Sequence, residues 1–274
     1  MDGYGADQIR AAERPHLDAG EPLMQRAADG LARVVADLLD DPAVRPGDGP
    51  GSVLLLVGSG DNGGDALFAG ARLASAGRRV AVLRVGSRVH EAGLAAALDA
   101  GARLAPPARP DRRWRVAPEP AAWAPAGPDD SGPTGTDAGA ADILRAAVPD
   151  EGGRLAAVAA EAALDTDLVL DGILGIGASG PLRSPAREVV DALRELARDQ
   201  RAPFVVAVDV PSGIDVDTGG VADEHVLHAD VTVTFGGVKA GLLVGPAATL
   251  AGRIELVDVG IAADLAGVEP LVRT

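Results

Sequence analysis

A five-residue apolar run, Val53-Leu54-Leu55-Leu56-Val57, breaks into Gly58-Ser59-Gly60-Asp61-Asn62-Gly63-Gly64-Asp65, and this junction constrains the chain more than any other stretch. The run has the length of a fully buried strand. A helical pattern follows to residue 76, with Leu67, Gly70, Ala71 and Ala74 on one face. Strand, glycine turn and helix is how α/β proteins build a site for an anionic ligand. Unpaired N–H groups at the helix start point outward, and the missing side chains let a phosphate come close. A turn that only needs positive φ accounts for one or two glycines. Four within seven residues, interleaved with Asp61, Asn62 and Asp65, point to a site.

The rest of the chain repeats this rhythm. Residues 6–40 read as helical, with Leu23, Ala27, Leu31, Val35 and Leu38 forming one stripe and Pro22 suited to a first turn. Gly77 ends the helix after the glycine turn, residues 80–85 read as a second strand, and residues 91–100 form an alanine-rich helix stopped by Gly101. A helix over about 155–163 precedes a strand at 168–170 that ends in Asp171. An amphipathic helix at 185–198 turns Val189, Val190, Leu193 and Leu196 inward. Strands at 204–208, 231–235 and 254–257 bring the number to at least six. This alternation implies a Rossmann-like α/β/α sandwich with a mostly parallel sheet. Residues 105–140, rich in Pro, Ala, Gly and Asp, keep no period and read as a surface insertion in a single domain of 274 residues, pinned by Trp114 and Trp123.

Composition narrows the partners. A net charge of −15 argues against nucleic acid or an anionic membrane, since both need a basic face. Without cysteine there are no disulfides and no thiolate metal sites. His16, His90, His225 and His228 show no metal spacing. The start has no signal-peptide pattern and no apolar run is long enough to span a bilayer, so a soluble cytoplasmic protein is expected. Lys239 is the only lysine, and arginine supplies the remaining fixed positive charge.

Parallel sheets bind ligands at the carboxyl ends of their strands. Three predicted strands end there in polar groups: the Asp61-Asn62 turn with Asp65, then Asp171, then Asp209 with Ser212. One such carboxylate is often only a helix cap; three on one edge, each beside glycine or serine, indicate function. The spacing of Gly58, Gly60 and Gly63 also fits a dinucleotide fingerprint. The acid expected at the end of the second strand is missing, and Arg84 stands near that place, which leaves open an NADP-dependent oxidoreductase.

Four segments carry a resemblance: GSGDNGGDA at 58–66, DGILGIG at 171–177, VDVPSGIDVDTG at 208–219 and TVTFGGVKAGLLVGP at 232–246. In order, they resemble the NAD(P)H-hydrate epimerase family, also called the YjeF N-terminal domain; residues 21–28 and the closing AGRIELVDVGI are similar to it as well. The resemblance implies epimerisation of NADHX and NADPHX, the hydrated reduced cofactors, so that a partner dehydratase, fused or separate, can repair both forms. It further implies a homodimer and one bound potassium ion (K+). By motif, Asn62, Asp171 and Ser212 would hold the ion. Asp61, Asn62, Gly63, Gly64 and Asp65, with Gly175, Ile176, Gly177, Ala178, Ser179, Gly180 and Pro181, would line the substrate. Asp209 would meet its reacting end, with Lys239 as its partner. Asp61 and Ala66 depart from the Asn-Asn-Gly-Gly-Asp-Gly of the family, and Ala240 replaces the proline of Lys-Pro-Gly. A non-catalytic scaffold of the same fold is the other alternative; the retained polar set argues against it.

Overall fold

Strand β2 (Ser52–Val57) is buried along its whole length, which is why its sequence is a continuous apolar run and not an alternation. Val53, Leu55 and Val57 enter one hydrophobic cluster, and Leu54 and Leu56 enter another on the opposite face of the sheet. The computed structural model describes residues 1–106, 151–178, 180–199 and 202–274. Trp114, Trp123 and the expected insertion, apart from residues 105 and 106, lie outside them, as does Ser179. The other elements are β1 (Asp2–Gly3), α1 (Ala6–Asp18), α2 (Leu23–Asp40), α3 (Asp61–Ser75), β3 (Arg79–Arg84), α4 (Glu91–Asp99), β4 (Arg103–Leu104) and α5 (Glu151–Leu164). They continue with β5 (Leu168–Gly172), α6 (Ala186–Arg198), β6 (Phe204–Val208), β7 (Val231–Phe235), β8 (Arg253–Val257), α7 (Ala262–Leu265) and β9 (Val272–Arg273).

Seven strands form one sheet in the order β4-β3-β2-β5-β6-β7-β8, every neighbouring pair parallel. Helices α1 to α4 cover one face and α5 with α6 the other, so the expected three-layer sandwich is present. The chain winds outward from β2 through β3 to β4, then returns to the other side of β2 and proceeds from β5 to β8. The switch point therefore lies between β2 and β5, where an open parallel sheet offers its ligand crevice.

Two local expectations are revised. Residues 6–40 form two helices, because Gly20 adopts φ +73° and closes α1 with Gly20 N–H to Leu17 O (2.9 Å) and Glu21 N–H to His16 O (2.9 Å). The apolar stripe of α2 is buried as expected. The sheet also gains β4, a two-residue exposed edge strand with no pattern to announce it, and the chain ends pair as β1 with β9.

The crevice is tight at its base. A side chain at Gly58 would bring Cβ to 1.8 Å from the backbone oxygen of Ile173, just past the end of β5. Gly58→Ala must therefore push the β2 and β5 tips apart and should cost at least about 2 kcal/mol in urea unfolding. Gly47→Ala, whose Cβ meets nothing within 4 Å, should stay within about 0.5 kcal/mol.

Candidate active site

Asp209 follows the last residue of β6 and is the one non-glycine residue with positive φ (66°) among the described residues. Val210 N–H reaches back over it to Val208 O (2.8 Å), a tight γ-turn that is strained for an L-residue. Three donors hold its side chain by Oδ1: Thr234 Oγ1 (3.1 Å), Phe235 N–H (3.1 Å) and Lys239 Nζ. Among the described residues Oδ2 has no hydrogen-bond partner. Lys239 is 1% exposed and also donates to Phe235 O (2.8 Å), so the only lysine of the chain is a buried cation paired with one carboxylate. Its loop is pinned by the N-terminus, through Tyr4 N–H to Val238 O and Ala240 N–H to Tyr4 O, both 2.8 Å.

A second polar group lies beneath the switch point. Asp171 (1% exposed) accepts Ser212 Oγ at Oδ1 (2.7 Å) and Ser212 N–H at Oδ2 (2.9 Å). Ser212 Oγ accepts Leu174 N–H (2.9 Å), and the Asn62 amide donates to Leu174 O (2.7 Å) and Val208 O (2.6 Å). One network thus joins the tips of β2, β5 and β6. No cation pairs with Asp171 among the described residues, and burial raises its pKa against the opposing hydrogen bonds from Ser212 and Ile173.

Above this network opens a cavity of about 450 Å³. Gly60, Asp61, Asn62 and Asp65 line it from the β2 tip, residues 173–178 from the β5 tip, and Asp209, Phe235 and Lys239 from β6 and β7. From the helical side come Glu13 and Leu17 of α1 and Leu23, Met24 and Ala27 of α2. Asp65 is nearly buried, and its Oδ1 accepts no hydrogen bond. Desolvation raises the Asp65 pKa well above the ordinary value, and the charges of Asp209 and Asp61 add to this. Desolvation also raises Glu13, against the pull of Lys239.

The family described as YjeF-related protein N-terminus has a model that matches residues 20–241. The chain belongs to this family. It is 45% identical to the NAD(P)H-hydrate epimerase of Clavibacter michiganensis subsp. michiganensis, over 99% of this chain and 95% of that protein. The NAD(P)H-hydrate epimerase of Microbacterium testaceum is 42% identical over 98% and 82%. The bifunctional NAD(P)H-hydrate repair enzyme Nnr of Mycobacterium tuberculosis is 39% identical over 98% of this chain, which spans 43% of that longer protein. The crystal structure of yeast ynu0, 17% identical, shares the fold with a TM-score of 0.58 over 88% of this chain and 83% of that one.

Of the residues singled out by the motifs of the family, Asp61, Asn62, Asp65, Gly175, Ile176, Gly177, Ala178, Asp209 and Lys239 meet at this cavity. Asp171 and Ser212 lie behind it, joined to Asn62 through Leu174. Gly63 and Gly64 are packed inside the first turn of α3, and Gly180 and Pro181 are exposed away from the cavity lining. Arg84 is exposed at the end of β3 and does not line the cavity. Sequence reasoning missed Glu13 and also Arg10, whose Nη2 donates to Ile176 O (2.9 Å). Both sit on α1, three residues apart on one helical face, a spacing that would have placed them together.

Two stability effects follow. Lys239→Met leaves Asp209 buried without its counter-charge and should lower unfolding stability by about 3–5 kcal/mol. The raised pKa of Asp65 has the opposite consequence for its own removal. The native state keeps a proton that the unfolded chain releases above the ordinary carboxylate range, so stability is full below that range and declines as pH rises toward neutrality. Asp65→Asn should therefore raise Tm by a few degrees at neutral pH, with the gain vanishing near about pH 3 in a calorimetric pH series.

Proposed function

We propose that this chain is an NAD(P)H-hydrate epimerase, interconverting the R and S forms of NADHX and NADPHX. Relatives that this chain covers to 95% and 82% of their length carry that name, and the cavity has the features such chemistry needs. The observation that carries the reading is Asp209: a carboxylate in a strained turn, anchored at Oδ1, with Oδ2 left over at the edge of the cavity.

Carbon 6 of the hydrate is a hemiaminal. Loss of its hydroxyl, with the ring nitrogen lone pair moving into a C6–N1 double bond, leaves an iminium cation. Water returning to the other face inverts the centre. Asp209 stabilises the cation by its field and takes a proton from the returning water through Oδ2. Lys239 supplies the counter-charge that allows this carboxylate to be buried, and with Thr234 it fixes the orientation. The start of α3, with no side-chain cap, lines the cavity through Gly60, Asp61 and Asn62, and its N–H groups are suited to hold the diphosphate. Arg10 holds the 173–178 loop through Ile176 O and is itself paired with Asp7.

The donor set behind the cavity fits potassium. Asp171, Ser212 and Asn62 offer hard oxygen once the Asn62 amide turns over, and the carboxylate of Asp171 lacks a cation of its own. Bound there, the ion would supply positive charge that draws the three strand tips together. Family resemblance supports a homodimer in the cytoplasm, feeding a dehydratase that acts on one epimer; in the bifunctional relatives two repair activities share a chain. No helix among the described residues is long and apolar enough to cross a membrane.

Asp209→Asn should reduce R/S interconversion, followed by chromatography of the two hydrates, by at least about 100-fold while the circular dichroism spectrum is unchanged. Turnover at the wild-type rate would contradict the role of Asp209. Asp171→Asn should abolish any activation by potassium chloride over an equal concentration of lithium chloride.

A further inference from the structure

Losing a hydroxyl and adding a water are two proton transfers in opposite directions, on opposite faces of one ring. Asp209 accounts for one of them. The second needs a group with a raised proton affinity that touches the same cavity and enters it from another strand tip than Asp209.

Asp65 meets each condition. It lines the cavity from α3, one turn past the helix start that follows β2, whereas Asp209 enters from the tip of β6. Strand β5 lies between β2 and β6 in the sheet, so the two carboxylates reach the cavity from different strand tips. Their partners differ just as their positions do. Asp209 Oδ1 collects Thr234, Phe235 and Lys239; the Asp65 side chain makes no hydrogen bond and no ion pair among the described residues, and its Oδ1 is sealed from solvent. A carboxyl in that setting is stable as the neutral acid.

The charged groups around it reinforce this. Asp61 on α3 and Asp209 on β6 disfavour a further negative charge, and so does Glu13 on α1; Lys239 acts the other way but is committed to Asp209 and Phe235 O. At the N-cap of α4, His90 packs by Gly64 and accepts Gly93 N–H at Nδ1 (3.0 Å); no hydrogen bond joins it to Asp65 among the described residues. Two carboxylates with environments that push their proton affinities apart are the arrangement by which one site runs acid and base chemistry together.

We infer that Asp65 is the general acid of the epimerisation, delivering the proton that carries off the C6 hydroxyl as water. This rests on the epimerase reading. The O–H bond of Asp65 breaks as its proton goes to the C6 hydroxyl, and the C6–O bond breaks with its electron pair leaving on the water formed. A second water bonds to C6 from the other face while Asp209 takes its proton. Asp65 ends ionised and Asp209 protonated; proton exchange with solvent, or the reverse inversion, restores them. Nothing is oxidised or reduced.

The test compares wild type, Asp65→Asn and Asp65→Glu in R/S interconversion of NADHX across a pH series, corrected for the uncatalysed rate. In wild type, kcat/KM should fall at alkaline pH as Asp65 ionises. Asp65→Asn should lose at least about 100-fold in kcat with KM within about threefold, and its residual activity should lack the alkaline fall. Asp65→Glu should restore part of kcat and the alkaline limb. A Tm for Asp65→Asn at or above wild type shows that folding is not the cause. If the wild type interconverts the epimers but Asp65→Asn retains kcat, or changes only KM, Asp65 merely binds substrate and the acid role is overturned while the epimerase reading stands. A wild-type chain inactive on both hydrates would overturn both.

Discussion

Between the tips of β2 and β5 there is no space for a side chain, and the geometry of the cavity depends on that closeness. Gly58 abuts the Ile173 carbonyl, and the loop after β5 is thereby pressed against the first turn of α3. Only at this separation can the Asn62 amide span the carbonyls of Leu174 and Val208, which belong to two different strand tips. The same contact brings Leu174 to Ser212, and Ser212 to Asp171. Parallel strands supply the tips; the missing side chain lets them converge.

The electrostatics above this junction are unfavourable by the ordinary rules of stability. Four carboxylates, Glu13, Asp61, Asp65 and Asp209, line one cavity with a single buried lysine among them. Burial raises Glu13 and Asp65, and Asp171 directly behind, so the molecule keeps these groups at a cost it could avoid with amides. Strain at Asp209 adds to that cost. Such features persist where they serve a reaction or a bound ligand, and their concentration at the switch point singles out this edge of the sheet.

Much of this was legible in the sequence. The run Val53 to Val57 had to be a doubly covered strand, and Gly77 and Gly101 ended their helices as the pattern required, at φ +84° and +103°. Asp171, Asp209 and Ser212 could be placed at strand ends from their position after apolar runs. What stayed hidden was non-local. The division between α1 and α2 depends on one backbone conformation at Gly20, and β4 is too short to carry a period. Pairing of β1 with β9 joins opposite ends of the chain. Glu13 and Arg10 read as ordinary helix-surface charges until the helix is docked over the strand tips. The pairing of Lys239 with Asp209 was legible from the motifs; that Thr234 and Phe235 also converge on Asp209 while the Asp65 side chain goes without a donor was not.

The most direct measurement is a crystal structure of the chain grown in potassium chloride with an NADPH hydrate bound. The account predicts the reduced ring between Asp65 and Asp209, its C6 within hydrogen-bonding reach of a water on Asp209, and the diphosphate toward the start of α3. Density for the nucleotide at another surface, or a ring turned away from both carboxylates, would contradict it.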